Sequence, residues 1–111
     1  MGAFRSLALI GTMLALAAPA AAHRLVVYAY MDGGEVVVEA KFSNGGPAKL
    51  GEIRLLDAQN ALLLALPMED DGETRVALPD GAQDGLTIEV ETDAGHQDYW
   101  VLTPADLEVE G

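Results

Sequence analysis

The chain has 111 residues, no cysteine, and six Lys/Arg against eighteen Asp/Glu, for a net charge of −12. That length argues for one domain, and the lack of cysteine excludes a disulfide scaffold. An acidic surface argues against nucleic acid and anionic membranes, which are held through Lys/Arg patches.

The first segment reads as a signal peptide rather than as part of the fold. Residues 1–6 carry Arg5 and no acid, residues 7–18 are an uncharged apolar run, and Pro19 precedes the small-residue motif Ala20-Ala21-Ala22. The run is too short to cross a ~30 Å hydrocarbon core. Cleavage after Ala22 leaves 89 residues starting at His23, with five Lys/Arg against eighteen Asp/Glu, net −13. The expected product is soluble, periplasmic or otherwise extracytoplasmic, and has no transmembrane segment.

From residue 25 onward, period-2 patterning and turn residues predict strands. Residues 25–31 are rich in β-branched and aromatic side chains, and Asp32-Gly33-Gly34 reads as a hairpin turn. Residues 35–43 alternate, with Val36, Val38, Ala40 and Phe42 on one face and Glu35, Glu39 and Lys41 on the other. Asn44-Gly45-Gly46-Pro47 ends that strand. Residues 51–57 set Ile53 and Leu55 against Glu52 and Arg54, and the stretch from Asp57 to Asn60 turns the chain. Residues 61–66 are apolar throughout, and six residues between a turn and Pro67 suit a strand better than a helix. Residues 73–78, 86–91 and 97–102 complete the set, the last after an Asp93-Ala94-Gly95-His96 turn. An acidic tail, residues 104–111, is expected to fray.

Seven short strands joined by turns predict an all-β fold, a seven-stranded antiparallel β-sandwich over residues 23–103. Its expected core is Val36, Val38, Phe42, Ile53, Leu55, Val76, Leu78, Leu86, Ile88 and Val90, with Trp100 or Tyr99 closing one flank.

No enzyme is expected. Ser43 is the only serine after residue 22 and has no triad context, and neither a phosphate loop nor a zinc-binding helix motif occurs. Two histidines remain. His23, as the first mature residue, offers its α-amino nitrogen and ring Nδ1 to one metal, and both groups shed their protons within reach of neutral pH. His96 sits in a tight turn with an expected exposed ring. If the seven strands alternate in direction, the first and seventh start at the same end. The loops carrying residues 44–50 and Met68, Glu69, Asp70 and Asp71 reach that end too. Three nitrogen donors there suit Ni²⁺ or Cu²⁺.

The start His23-Arg24-Leu25-Val26-Val27-Tyr28-Ala29-Tyr30, the strand Glu35-Val36-Val37-Val38-Glu39 and the run Phe42-Ser43-Asn44-Gly45-Gly46-Pro47-Ala48 carry a resemblance. So do Leu55 to Asn60, Asp71-Gly72-Glu73 and Ala94-Gly95-His96. Together they resemble the extracytoplasmic component of nickel/cobalt uptake transporters of the energy-coupling-factor type. The resemblance implies a transthyretin- or immunoglobulin-like sandwich, also described as carboxypeptidase-regulatory-like. It implies Ni²⁺ or Co²⁺ as the metal, His23 and His96 as its contacts, and a membrane permease of an ABC transporter as partner. Relatives often carry a C-terminal membrane helix that this sequence lacks, and Asn60 stands where the module usually has Gly. The expectation is therefore a separate soluble subunit or carrier. Two other readings stay open: a non-metal interaction or adhesion module, and a periplasmic copper-handling protein with His23 as its brace.

Overall fold

The computed structural model describes residues 24–92 and 95–109. The signal-peptide segment, residues 1–22, and His23 lie outside the described residues. The described chain forms β1 (Leu25–Asp32), β2 (Glu35–Phe42), β3 (Gly51–Leu56), β4 (Leu62–Pro67), β5 (Glu73–Ala77), β6 (Leu86–Thr92), β7 (Gln97–Leu102) and a short helix α1 (Pro104–Val109). The strands make two sheets, ordered β1-β2-β5 and β4-β3-β6-β7, with every neighbouring pair antiparallel. The protein is all-β and sandwich-like, as the alternation of its side chains predicts.

The core lies between the two sheets. Leu25, Val27 and Ala29 of β1 and Val36, Val38 and Ala40 of β2 share one cluster with Ile53 and Leu55 of β3 and Leu86, Ile88 and Val90 of β6. Each fully buried Val, Leu or Ile contributes roughly 1.5–3 kcal/mol of transfer free energy. Three residues expected inside, Phe42, Val76 and Leu78, are only half-buried. Phe42 ends β2, Val76 lies on the edge strand β5 and Leu78 follows it, so each packs against the core from its margin. Val37 departs the other way. Period 2 puts it outside with Glu35 and Glu39, yet it is fully buried. It sits in the central strand of its sheet, opposite Tyr30 on one side and Arg75 on the other, and these two long side chains flank it.

Local turn chemistry fixes the hairpins. Gly33 and Gly34 both take positive φ between Asp32 and Glu35, the two-residue geometry that matches strand twist. Asp57 Oδ1 accepts the N–H groups of Gln59 and Ala61, holding Asn60 at φ 66°. The leucine run is a strand, and a register shift opposite Leu55 and Leu56 accommodates Leu63.

Residues 104–109 of the tail are helical, which corrects the expectation that they fray. Thr103 Oγ1 accepts the N–H of Asp106 at 3.2 Å, and Asp106 Oδ2 accepts the N–H of Thr103 at 2.9 Å. This reciprocal capping box, with Pro104 at the first helical position, starts α1. Leu107 then packs against the core.

The sandwich closes where β1 and β7, edge strands of different sheets, lie side by side. On the side away from β2, Val27 donates its N–H to Asp98 Oδ2 at 3.0 Å. Tyr28 meets Trp100 edge-to-face at a centroid distance of 5.0 Å. Trp100 thus sits at the flank but stays 38 % exposed, while Tyr99 points outward and is 61 % exposed. Residue numbers rise together along the seam, so β1 and β7 run the same way. With antiparallel pairing inside each sheet, all seven strands then alternate in direction along the chain.

Asp98→Ala removes the acceptor for a part-buried N–H, and we expect it to cost about 1–3 kcal/mol in urea unfolding. Asp98→Asn retains an oxygen and is expected to cost less. Equal stability of the Ala variant and the parent would show that the seam is held by packing alone.

Candidate functional site

Strand alternation places the start of β1, the β2–β3 loop, the β4–β5 loop and the β6–β7 hairpin at one end of the sandwich. Arg24 donates its N–H to Ser43 Oγ at 3.1 Å, and Ser43 donates its N–H to the Arg24 carbonyl at 2.7 Å. The entry of β1 is thereby fastened to the end of β2. Beyond Ser43 the chain folds back on itself. Gly46 donates its N–H to Asn44 Oδ1 at 2.9 Å, and Phe42 donates to the Gly46 carbonyl at 2.8 Å. Ala48 then bonds the Ala40 carbonyl at 3.0 Å and is fully buried.

Two glycines let backbones approach closely here. Gly72 has φ 79°, and a Cβ at that position would lie 2.7 Å from the Ala40 carbonyl oxygen and 3.0 Å from Pro47 Cβ. The space is needed because Gly72 accepts the N–H of Ala40, tying the β4–β5 loop to β2. Gly51 has φ 152°, and its Cβ would lie 2.3 Å from the Glu91 carbonyl oxygen. Both are backbone clashes that no rotamer relieves.

His96 closes the hairpin at this rim. Its carbonyl accepts the N–H of Thr92 at 2.9 Å, and its ring stands edge-on to Phe42 at 5.3 Å and 79°. The expected exposed ring is in fact half-buried, because Phe42 is not fully taken up by the core and leaves a face for it. His96 Nδ1 is buried with no hydrogen-bond partner among the described residues, and so is Thr92 Oγ1.

The other residues expected at this end divide. Met68 is 7 % exposed and belongs to the core, which removes its thioether from the rim. Glu69, Asp70 and Asp71 are exposed and line a broad depression of ≈ 590 Å³ with Glu73 and Arg75. Asp71 Oδ1 already accepts the N–H of Glu73 at 3.0 Å. The structure brings Arg24, Ser43, Phe42 and His96 together, and the three acids to the same end but into a separate hollow. Among the described residues no group of three or more His, Cys, Asp or Glu is placed to hold a metal ion. His23, one peptide bond before Arg24, lies outside the described residues.

Charge is arranged around two arginines, a pattern the sequence reading missed. On the outer face of the four-stranded sheet, Arg54 meets Glu52 at 2.9 Å, Glu89 at 3.2 Å and Glu91 at 3.3 Å. The hydrogen bonds that Arg54 donates to Glu52 and Glu89 raise the pKa of its guanidinium above the ordinary value. On the outer face of the three-stranded sheet, Arg75 meets Asp32 at 3.0 Å, Glu73 at 3.5 Å and Glu35 at 3.6 Å. The sequence signal was an isolated Arg with an acid two residues before it on its own strand, Glu52 before Arg54 and Glu73 before Arg75. Such exposed pairs are each worth at most about 1 kcal/mol, but they relieve repulsion in a strongly acidic domain.

No helix among the described residues is long and apolar enough to cross a membrane. Comparison of the chain with known protein families, curated proteins and solved structures gives no match.

Gly72→Ala is expected to destabilise by roughly 2–4 kcal/mol, from the strained φ and the clash with Ala40. Chemical denaturation monitored by circular dichroism checks it, and a loss below about 0.5 kcal/mol would mean that the two loops are not packed as described.

Proposed function

We propose that the protein is an extracytoplasmic, periplasmic accessory of nickel/cobalt uptake that carries a divalent cation at the rim formed by His96 and the entry of β1. In this reading, a signal peptidase exposes His23, whose α-amino nitrogen and imidazole close one chelate ring, and His96 Nε2 adds a third nitrogen. Ni²⁺ or Co²⁺ is the cargo, with Cu²⁺ as the alternative, and a membrane permease is the recipient. The supporting observation is the contact of the His96 ring with Phe42, whose neighbour Ser43 is hydrogen-bonded to Arg24. Residue 23 lies one ~3.8 Å step before Arg24. The buried Nδ1 also fits a ring presented by one nitrogen only. The seven-strand architecture agrees with the transthyretin-like module that the resemblance implies.

A second reading, a β-sandwich interaction module, is favoured by a different observation. Val26, Tyr28, Tyr99, Trp100 and Val101 are all exposed, and all lie on β1 or β7. Exposed apolar groups gathered at one seam mark a contact surface more often than scattered ones do.

Calorimetric titration separates the two. A chain beginning at His23 should bind Ni²⁺ or Co²⁺ with 1:1 stoichiometry. His96→Ala should weaken binding at least tenfold, about 1.4 kcal/mol, and one extra residue before His23 should weaken it comparably by blocking the chelate. Unchanged affinity in both variants would eliminate the rim as a metal site.

A further inference from the structure

The opposite stretch of the β1–β7 seam carries an arrangement that metal binding does not use. Tyr28, Tyr30, Trp100 and Asp106 line a groove of ≈ 220 Å³, backed by Met31 and Leu102. The Tyr28 ring lies 5.5 Å from Tyr30 and 5.0 Å from Trp100, centroid to centroid. Pockets for drug-sized ligands run from about 300 to 1,000 Å³, so this groove suits one side chain rather than a whole cofactor.

We propose that the groove receives the guanidinium or ammonium group of an extended segment from a basic partner protein. Three observations converge on that occupant. Aromatic faces attract a cation within about 6 Å of the ring centroid, and rings this close to one another let one cation lie near more than one face. The carboxylate of Asp106 is fixed at the groove because its Oδ2 accepts both the N–H and the Oγ1–H of Thr103, at 2.9 and 3.0 Å. The helix cap therefore positions an anion beside the rings before any ligand arrives. Finally, the protein's net charge of −12 draws a cationic partner and repels an acidic one.

An extended segment fits better than a free small cation because the apolar surface continues past the groove. Val26 and Tyr28, two residues apart on the same face of β1 and both exposed, share a second hollow beside Phe42. Apolar residues flanking the cationic one would cover them.

Trp100 is the only tryptophan, so its fluorescence reports the groove directly. The full chain is titrated with acetyl-(Arg-Leu)₃-amide, with its citrulline counterpart, with acetyl-(Glu-Leu)₃-amide and with tetramethylammonium chloride. The arginine peptide is expected to change Trp100 emission saturably, with an affinity that falls as salt rises. Tyr28→Leu, which keeps an apolar side chain but removes the π face, should weaken binding about tenfold, and Tyr28→Phe should retain it. Asp106→Asn should weaken binding and flatten its salt dependence. Equal binding of the citrulline or glutamate peptide, or full binding by the Tyr28→Leu variant, would overturn the cation site. Tetramethylammonium binding as tightly as the arginine peptide would overturn the assignment to a protein segment.

Discussion

A two-sheet sandwich must do something with its edge strands, because an open edge leaves N–H and C=O groups unpaired. Here β1 and β7 meet, and the Asp98 carboxylate accepts the N–H that Val27 turns away from its own sheet. That contact sets the relative slide of the two sheets at the seam. It sets which residues of β1 stand beside which residues of β7: Val27 beside Asp98 and Tyr28 beside Trp100. It also brings the entry of β1, through Ser43 and Phe42, to the level of His96. Both proposed binding features, the rim and the aromatic groove, are therefore products of one closure.

The remaining edges are handled differently. β5 carries Glu73 and Arg75, charges that discourage another strand from pairing. β4 has no charge from Leu62 to Pro67, and its protection comes from a register shift and a terminal proline. The two arginines play a matching part on the outer faces. Each stands among three carboxylates, so the sheets do not present uninterrupted negative charge.

Much of this architecture was legible in the residues. Strand boundaries follow the predicted runs to within one residue, and turn residues such as Gly33-Gly34 and Asn60 mark breaks between them. The leucine run was resolved as a strand by length alone, since composition allows either state. What escaped has a common cause: it depends on neighbours distant in sequence. Val37 is buried by Tyr30 and Arg75 across the sheet, which no alternation rule can register. Met68 reads as a loop residue beside three acids, yet the sandwich takes its side chain inside. His96 reads as an exposed turn residue until Phe42 is placed against it. The helix α1 is the exception, for Thr103-Pro104-Ala105-Asp106 is a local capping signal that the acidic composition of the tail obscured. At the candidate site, the shared end of the first and last strands followed from parity. The separation of the acids from His96 did not.

Closure at the β1–β7 seam is open to direct observation in solution. A NOESY spectrum of the isotopically labelled protein should show cross-peaks between the rings of Phe42 and His96 and between those of Tyr28 and Trp100. Strand-to-strand peaks within each sheet but none across either ring pair would mean that the sheets stack in another register, and the shared rim would be lost with it.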